Sequence, residues 1–147
     1  MSTDRFVLNP VTAETHGFLE ACLDANDLPT ADVASNLGWF YVGYVDGEPI
    51  GGGGVEPSGS VGLLRSLVVK SSARGYGYGG ALTDALEATA RRDGIETLYL
   101  LTTTADQFFE ARGYTETDRK EAPRSIRRTS EFEDLCPESA TCMRKSL

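Results

Sequence analysis

One stretch of the sequence decides the fold class: Val68-Val69-Lys70-Ser71-Ser72-Ala73-Arg74-Gly75-Tyr76-Gly77-Tyr78-Gly79-Gly80-Ala81-Leu82. It begins at the end of the segment Val61–Val69, whose valines and leucines are typical of a strand. It leads into a helical pattern from about Gly77 to Arg92, with arginines in the last turn and Gly94 just beyond. The glycines between the two predict a tight turn that joins a strand to a helix.

The segment from Arg74 to Gly80, called the glycine loop below, has the chemistry of an anion site. The first amide N–H groups of a helix point outward and carry the positive end of the helix dipole. Glycine lets the backbone approach an anion closely, and the Arg74 guanidinium adds a fixed charge suited to phosphate. The predicted ligand therefore carries a phosphate or a diphosphate.

Two common nucleotide-binding motifs do not fit this loop. Its glycines read Gly-x-Gly-x-Gly-Gly, whereas dinucleotide folds require Gly-x-Gly-x-x-Gly, and no Lys-Ser/Thr pair makes it a P-loop. A second run, Gly51–Gly54, also lacks that pair and lies inside a predicted strand. Four glycines there indicate a bulge or a close approach of another backbone.

The remaining sequence mixes strands and helices, with an antiparallel first half and β-α-β-α character in the second. This order predicts an α/β fold, a sheet with helices on both faces. Predicted strands are Arg5–Leu8, Trp39–Val45, Ile50–Glu56, Val61–Val69, Thr97–Thr102, Tyr114–Thr117 and Ser139–Lys145. Alternation in the fourth strand predicts that Leu63, Arg65, Leu67 and Val69 share one face. Predicted helices are Ala13–Ala25 capped by Thr12, Pro29–Asn36, Gly77–Arg92, a helix from a capping box at Thr104 to Arg112, and a turn or two in Pro123–Arg128.

Arg74, Gly77 and Gly79 resemble the Arg-x-x-Gly-x-Gly signature of the GNAT acetyltransferases. Further along, the segment Ala105–Tyr114 looks like that family's Ala-x-x-Phe-Tyr-x-x-x-Gly-Phe helix. Two motifs in family order, at the expected separation, make the resemblance specific. It implies one GNAT domain over residues 1–147, with a mixed, mostly antiparallel sheet and a splayed parallel strand pair.

The resemblance also implies acetyl-CoA as co-substrate. The diphosphate would bind the amides of the glycine loop, and the pantetheine arm would pair with the end of the preceding strand. A backbone N–H near Leu67 would polarise the thioester carbonyl between the splayed strands. The residues expected to bind acetyl-CoA are Leu67, Val68, Val69, Arg74, Gly75, Tyr76, Gly77, Tyr78, Gly79, Gly80 and Thr102.

Two departures from the family pattern leave the catalytic residues unknown. The family's tyrosine, often the acid that protonates the leaving thiolate, aligns with Phe109, which has no proton to give. Arg65 and Ser66 stand where many relatives have a glutamate. The reserve candidates are Tyr99, Glu110 and Tyr114. A domain that binds acyl-CoA without turnover and an enzyme acting on protein termini or lysines therefore stay open as alternatives.

A narrower resemblance covers roughly residues 61 to 143. The stretches Leu64–Val69, Leu98–Ala105 and Pro123–Ala140 look like the small N-acetyltransferases associated with arsenic-resistance operons. This implies a detoxifying enzyme that acetylates the amine of a small molecule. Arg65 and Thr103 are the expected substrate-binding residues, with Arg124 and Thr129 as further candidates, because a guanidinium suits a carboxylate, phosphinate or arsonate group.

Composition excludes several other classes. The net charge of −8 argues against nucleic-acid binding. No apolar run approaches the roughly 20 residues that span a bilayer, and the first residues lack a signal-peptide core, so we expect a cytoplasmic protein without membrane contact. The three cysteines, Cys22, Cys136 and Cys142, have no zinc spacing and predict reduced thiols and no metal site. Related folds often pair, so a homodimer is a further open expectation.

Overall fold

A seven-stranded sheet organises the chain in the computed structural model, which describes residues 5–28, 30, 33–129, 132–133 and 139–147. The strands are β1 (Phe6–Pro10), β2 (Phe40–Val45), β3 (Glu48–Ser58), β4 (Val61–Val69), β5 (Thr97–Thr102), β6 (Thr115–Glu116) and β7 (Thr141–Ser146). The α-helices are α1 (His16–Ala25), α2 (Tyr78–Arg92), α3 (Asp106–Ala111) and α4 (Arg124–Arg127). The strand order is β1-β2-β3-β4-β5-β7-β6, with β4 and β5 parallel, which confirms the predicted mixed α/β sheet.

The chain divides into two compact units. The first comprises Met1–Val55 and Ser66–Thr89, and in it β2 pairs antiparallel with both β1 and β3. Val68 packs in a cluster with residues of α1, whereas Leu67 and Val69 pack in a cluster with Leu82 of α2. Because neighbouring residues of a strand point to opposite faces, this unit carries a helix on each face, as predicted.

The second unit comprises Glu56–Arg65 and Ala90–Leu147. Here the parallel register joins Val61–Leu63 to Thr97–Tyr99, and β7 pairs antiparallel with both β5 and β6. One of its apolar clusters contains Leu63, Tyr99, Ala122, Ile126, Phe132 and Cys142. Among the described residues, no helix has both the length and the apolar character needed to cross a membrane.

Several predicted elements are confirmed. β4 and β5 have the predicted bounds, α2 begins one residue later than predicted, and α4 lies within the predicted Pro123–Arg128 segment. The other strands differ from prediction mainly at their ends. β2 begins at Phe40 and β3 runs from Glu48 to Ser58. β6 is shorter than predicted by one residue at each end, and β7 begins two residues and ends one residue later than predicted. Strand ends depend on the neighbouring strand, which a local pattern does not report.

The first strand and the first helix required correction. β1 continues through Pro10, where a stop was predicted, because β1 is an edge strand and proline is tolerated there. α1 begins at His16 rather than Ala13. The hydroxyl of Thr12 accepts a hydrogen bond from the Glu14 N–H at 3.2 Å, and the Thr12 N–H donates to Thr15 Oγ1 at 2.8 Å. Thr12 therefore stabilises a turn before the helix instead of capping it.

The predicted helix ending near Arg112 is confirmed as α3 but its predicted cap is wrong, and the predicted second helix is not observed in its described residues. α3 begins at Asp106 with Ala105 at its N-cap and no side-chain cap, so Thr104 forms no capping box. Of the helix predicted over Pro29–Asn36, residues 29, 31 and 32 lie outside the described residues. Residues 33–35 form a turn, and Leu37–Trp39 form a short 3-10 helix.

The glycine run in β3 is a site of close backbone approach, as predicted. A methyl group on Gly51 would lie 2.8 Å from Val69 Cα and closer still to the Val68 carbonyl oxygen, neither of which can move without β4. We expect Gly51→Ala to lower the free energy of unfolding by about 1–3 kcal/mol through overpacking. The matched control is Gly17→Ala at an exposed position of α1, where a Cβ meets nothing within 4 Å and a gain in the free energy of unfolding of about 0.5–1 kcal/mol is expected. Urea unfolding checks both, and equal effects would contradict the close approach.

Candidate active site

The glycine loop joins β4 to α2 through a 3-10 turn at Ser71–Ala73. Gly75 and Gly77 have φ angles of +89° and +79°, on either side of Tyr76. Left-handed residues alternating with ordinary ones turn successive amide N–H groups toward one side and create a concavity for an anion. α2 begins at Tyr78, directly after Gly77, and the Ala81 N–H donates to the Gly77 carbonyl at 3.2 Å in its first turn. The backbone therefore has the two left-handed glycines that such a concavity requires, while its role as an anion site stays a prediction.

Arg74 is held by groups that the sequence did not indicate. Its Nε donates to the Val69 carbonyl at 3.3 Å, and its Nη2 donates to Asn26 Oδ1. Asn26 follows α1, and its own amide nitrogen donates to the Cys22 carbonyl at 2.8 Å. These bonds fix the exposed guanidinium beside the loop. No sequence signal links Asn26 to Arg74, because the two are 48 residues apart.

The end of β4 departs from a regular strand at Ser66, whose φ is +58°. A non-glycine residue in this region is uncommon and interrupts the extended backbone. The regular alternation predicted for Leu63, Arg65, Leu67 and Val69 is therefore interrupted between Arg65 and Leu67. Beyond Ser66 the first unit positions Leu67, Val68 and Val69, and the Lys70 N–H donates to the Ile50 carbonyl at 2.8 Å.

Arg65 is one of the few charged residues buried in the described part of the chain. Its Nη1 lies 3.0 Å from Glu56 Oε1, and the side chains are 0% and 14% exposed. Glu56 is in β3, so a carboxylate is present beside β4 although β4 carries none. The Glu56 carboxylate accepts a hydrogen bond from Nη1 of the Arg65 guanidinium, which has five N–H donors in all.

Thr102 and Thr103 lie at the end of β5 in the second unit. Thr102 Oγ1 accepts from the Ala105 N–H at 3.0 Å and so organises the turn before α3, while Thr103 is exposed. Arg124 is exposed at the start of α4. The hydroxyl of Thr129 is buried and donates to the Ile126 carbonyl at 2.7 Å, so it holds the end of that helix.

The residues considered for proton transfer differ in exposure. Phe109 is 6% exposed and contacts Tyr114 edge-on, with ring centroids 5.4 Å apart. Tyr114 and Tyr99 are 2% and 7% exposed, so both are packed in the core, whereas Glu110 is exposed on α3. None of the three occupies the place of the family tyrosine, which Phe109 takes.

Two of the predicted free thiols are observed. Cys22 and Cys142 are buried and unbonded to another cysteine, while Cys136 lies outside the described residues. Burial raises the pKa of both thiols, and that of Cys142 rises to about 11. The positive charge of Lys70 opposes the rise at Cys22, and that of Arg119 opposes it at Cys142. The part of the chain that the structure describes contains no cluster of three metal-ligating side chains.

The Cys142 thiol gives a pH-dependent prediction. Its pKa rises from 9.0 to about 11 on folding, so its contribution to stability is complete below pH 9 and is lost as the pH rises through 11. The free energy of unfolding should therefore fall between pH 9 and 11, and fall less in Cys142→Ala. Chemical denaturation at several pH values measures the difference, and parallel curves for the two proteins would contradict this assignment.

Comparison with known proteins defines the class. The model of the acetyltransferase (GNAT) domain matches residues 36–116, more than half of the chain, so the chain belongs to this family. The fold of this family and its co-substrate, acetyl-CoA, are those that the sequence resemblance implied. No curated protein sequence matches the chain significantly.

Solved structures show the same fold. N-acetylglutamate synthase from Neisseria gonorrhoeae, complexed with CoA and N-acetyl-glutamate, has a TM-score of 0.85 and 18% identity over 99% of this chain and 36% of its own. Rv2747 from Mycobacterium tuberculosis, in complex with CoA and NLQ, has a TM-score of 0.81 and 19% identity, over 96% of this chain and 99% of its own. A GNAT-family acetyltransferase from Staphylococcus aureus Mu50 has a TM-score of 0.74 and 16% identity, over 97% of this chain and 99% of its own. The chain thus spans about a third of the synthase and nearly all of the other two.

Proposed function

We propose that this chain is an acetyl-CoA-dependent N-acetyltransferase that acetylates the amine of a small anionic molecule. The observation that carries the proposal is the glycine loop, with left-handed Gly75 and Gly77 directly before α2. The diphosphate of acetyl-CoA would accept from its amides, and Arg74 would supply the nearby charge.

The backbone of β4 supports the placement of the thioester. Left-handed Ser66 changes the direction of the following amides, so the N–H of Leu67 is our proposed donor to the thioester carbonyl. The acceptor nitrogen then attacks the carbonyl carbon, the carbon–sulfur bond breaks, and the CoA thiolate leaves. Since Phe109 cannot protonate it, the proton of the amine passes to solvent and the thiolate takes one from solvent.

The acceptor is proposed from the charges near β4. We infer that Arg65 and exposed Thr103 favour an amine that also carries a carboxylate, phosphinate or arsonate group. Glu56 Oε1 lies 3.0 Å from the Arg65 guanidinium, whose side chain is 0% exposed, so an acceptor would contact this charge only if binding opened the position. An amino-acid-like acceptor fits the N-acetyl-glutamate bound in the Neisseria synthase. It also fits a detoxifying role of the kind found near arsenic-resistance operons.

The acceptor class is tested with a panel of amines and purified protein. Amino acids, phosphinate and arsonate amino acids, matched uncharged amines and short basic peptides are incubated with acetyl-CoA, and products are identified by mass spectrometry. The proposal predicts acetylation of the anionic small molecules. Preferential acetylation of uncharged amines or of peptides would contradict it.

A second candidate function is acyl-CoA binding without turnover. Buried Phe109 at the position of the family tyrosine favours it, because the chain then lacks the usual acid for the leaving thiolate. Tight acetyl-CoA binding, with no CoA release for any acceptor in the panel, would select this function over the first.

A further inference from the structure

Tyr76 is the most exposed large hydrophobic residue in the described part of the chain, with 69% of its surface accessible. Its ring stacks on that of Tyr78, with centroids 5.6 Å apart and planes inclined by 23°. Stacked aromatic pairs typically lie 4.5–7 Å apart, so this is a normal offset stack. Both tyrosines belong to the glycine loop, on either side of Gly77.

The inner ring of the stack, that of Tyr78, packs against the core. Tyr78 is partly buried and packs against the apolar cluster that contains Leu82, Val69 and Leu67. Tyr78 therefore positions one face of the Tyr76 ring, and the Tyr76 residue as a whole is 69% exposed. A ring held in this way pays little conformational entropy when it binds a flat ligand.

We propose that the outer face of the Tyr76 ring binds the purine base of the co-substrate by stacking. The inference rests on the proposed function, which places a diphosphate on the amides of the same loop. In a nucleotide the base is joined to the diphosphate through a single sugar, so a platform one or two residues from the diphosphate site is within its reach. Stacking on an aromatic ring is a common way to bind an unpaired base.

The test compares ligands that differ in the base. Isothermal titration calorimetry measures the Kd of CoA, of dephospho-CoA, which keeps the base, and of 4′-phosphopantetheine, which lacks it. The proteins are the wild type, Tyr76→Ala, Tyr76→Phe and the control Ser72→Ala, an exposed residue of the same connection. Thermal unfolding monitored by circular dichroism checks that each variant is folded.

We expect Tyr76→Ala to raise the Kd of CoA and of dephospho-CoA by about 5- to 20-fold, which is the lower part of the range for base–aromatic stacking. Binding of 4′-phosphopantetheine should be unchanged, and Tyr76→Phe and Ser72→Ala should bind all three ligands like the wild type.

Three results would overturn the inference. An equal loss for all three ligands would show that Tyr76 shapes the loop rather than binds the base. Unchanged CoA binding in Tyr76→Ala would exclude the stack while leaving the proposed function intact. A wild type that binds neither CoA nor 4′-phosphopantetheine would refute the proposed function itself, and the stack with it.

Discussion

Replacing Gly77 by valine should weaken the binding of acetyl-CoA by about 10- to 100-fold while the chain stays folded. Gly77 has a φ of +79°, which a β-branched residue adopts only under strain. A Cβ at this position meets nothing within 4 Å, so the fold has room for the valine side chain. The loss therefore comes from the changed loop backbone and from a side chain beside the amides that bind the diphosphate.

Gly59→Val provides a matched control for this prediction. Gly59 has a φ of +63°, also has nothing within 4 Å of a Cβ, and lies in the turn between β3 and β4. Both substitutions should cost roughly 1–2 kcal/mol of stability, because both force an L residue into the left-handed region. Only Gly77→Val should lose affinity in calorimetric titrations. Equal acetyl-CoA affinities for the two variants would show that the glycine loop is not part of the binding site.

Glu56→Ala should lower the free energy of unfolding by about 3–5 kcal/mol, the usual cost of removing one partner of a buried ion pair. The Arg65 side chain is 0% exposed and lies 3.0 Å from the Glu56 carboxylate, so the substitution leaves a guanidinium charge in the interior without this carboxylate. This is a large fraction of the 5–15 kcal/mol that typically stabilises a domain. Urea unfolding of the wild type and the variant measures it.

The double variant Glu56→Leu with Arg65→Met separates charge from packing. Exchanging both members of a buried pair for apolar residues of similar volume is often neutral, so the double variant should be more stable than Glu56→Ala. A double variant that is less stable than the single one would show that the Arg65 side chain stabilises the fold through contacts other than Glu56.

The parts of the fold that local chemistry determines could be predicted from the sequence. β4, the glycine loop and α2 follow one another, and branched residues, glycines and terminal arginines mark each boundary. Acetyl-CoA as the family co-substrate was implied by the resemblance of Arg74, Gly77 and Gly79 to the GNAT signature, because that signature is a short run of consecutive residues.

The side-chain partners could not be predicted, because they come from distant positions. Nothing in the sequence near Arg74 indicates Asn26, and β4 gives no sign that Glu56 of β3 will pair with Arg65. The left-handed conformation of Ser66 was missed for a related reason. Serine has no preference for it, so the surrounding strands must impose it. The start of α1 was misplaced because Thr12 and Thr15 both have side chains able to cap.

The central claim, that this chain transfers an acetyl group from acetyl-CoA to a small anionic amine, is tested most directly by CoA release. A thiol reagent follows free CoA during incubation with acetyl-CoA and each acceptor, for the wild type and for Gly77→Trp. The account predicts release that depends on an anionic acceptor and disappears in Gly77→Trp. Release that is absent for every acceptor despite tight acetyl-CoA binding, or that persists in Gly77→Trp, would contradict it.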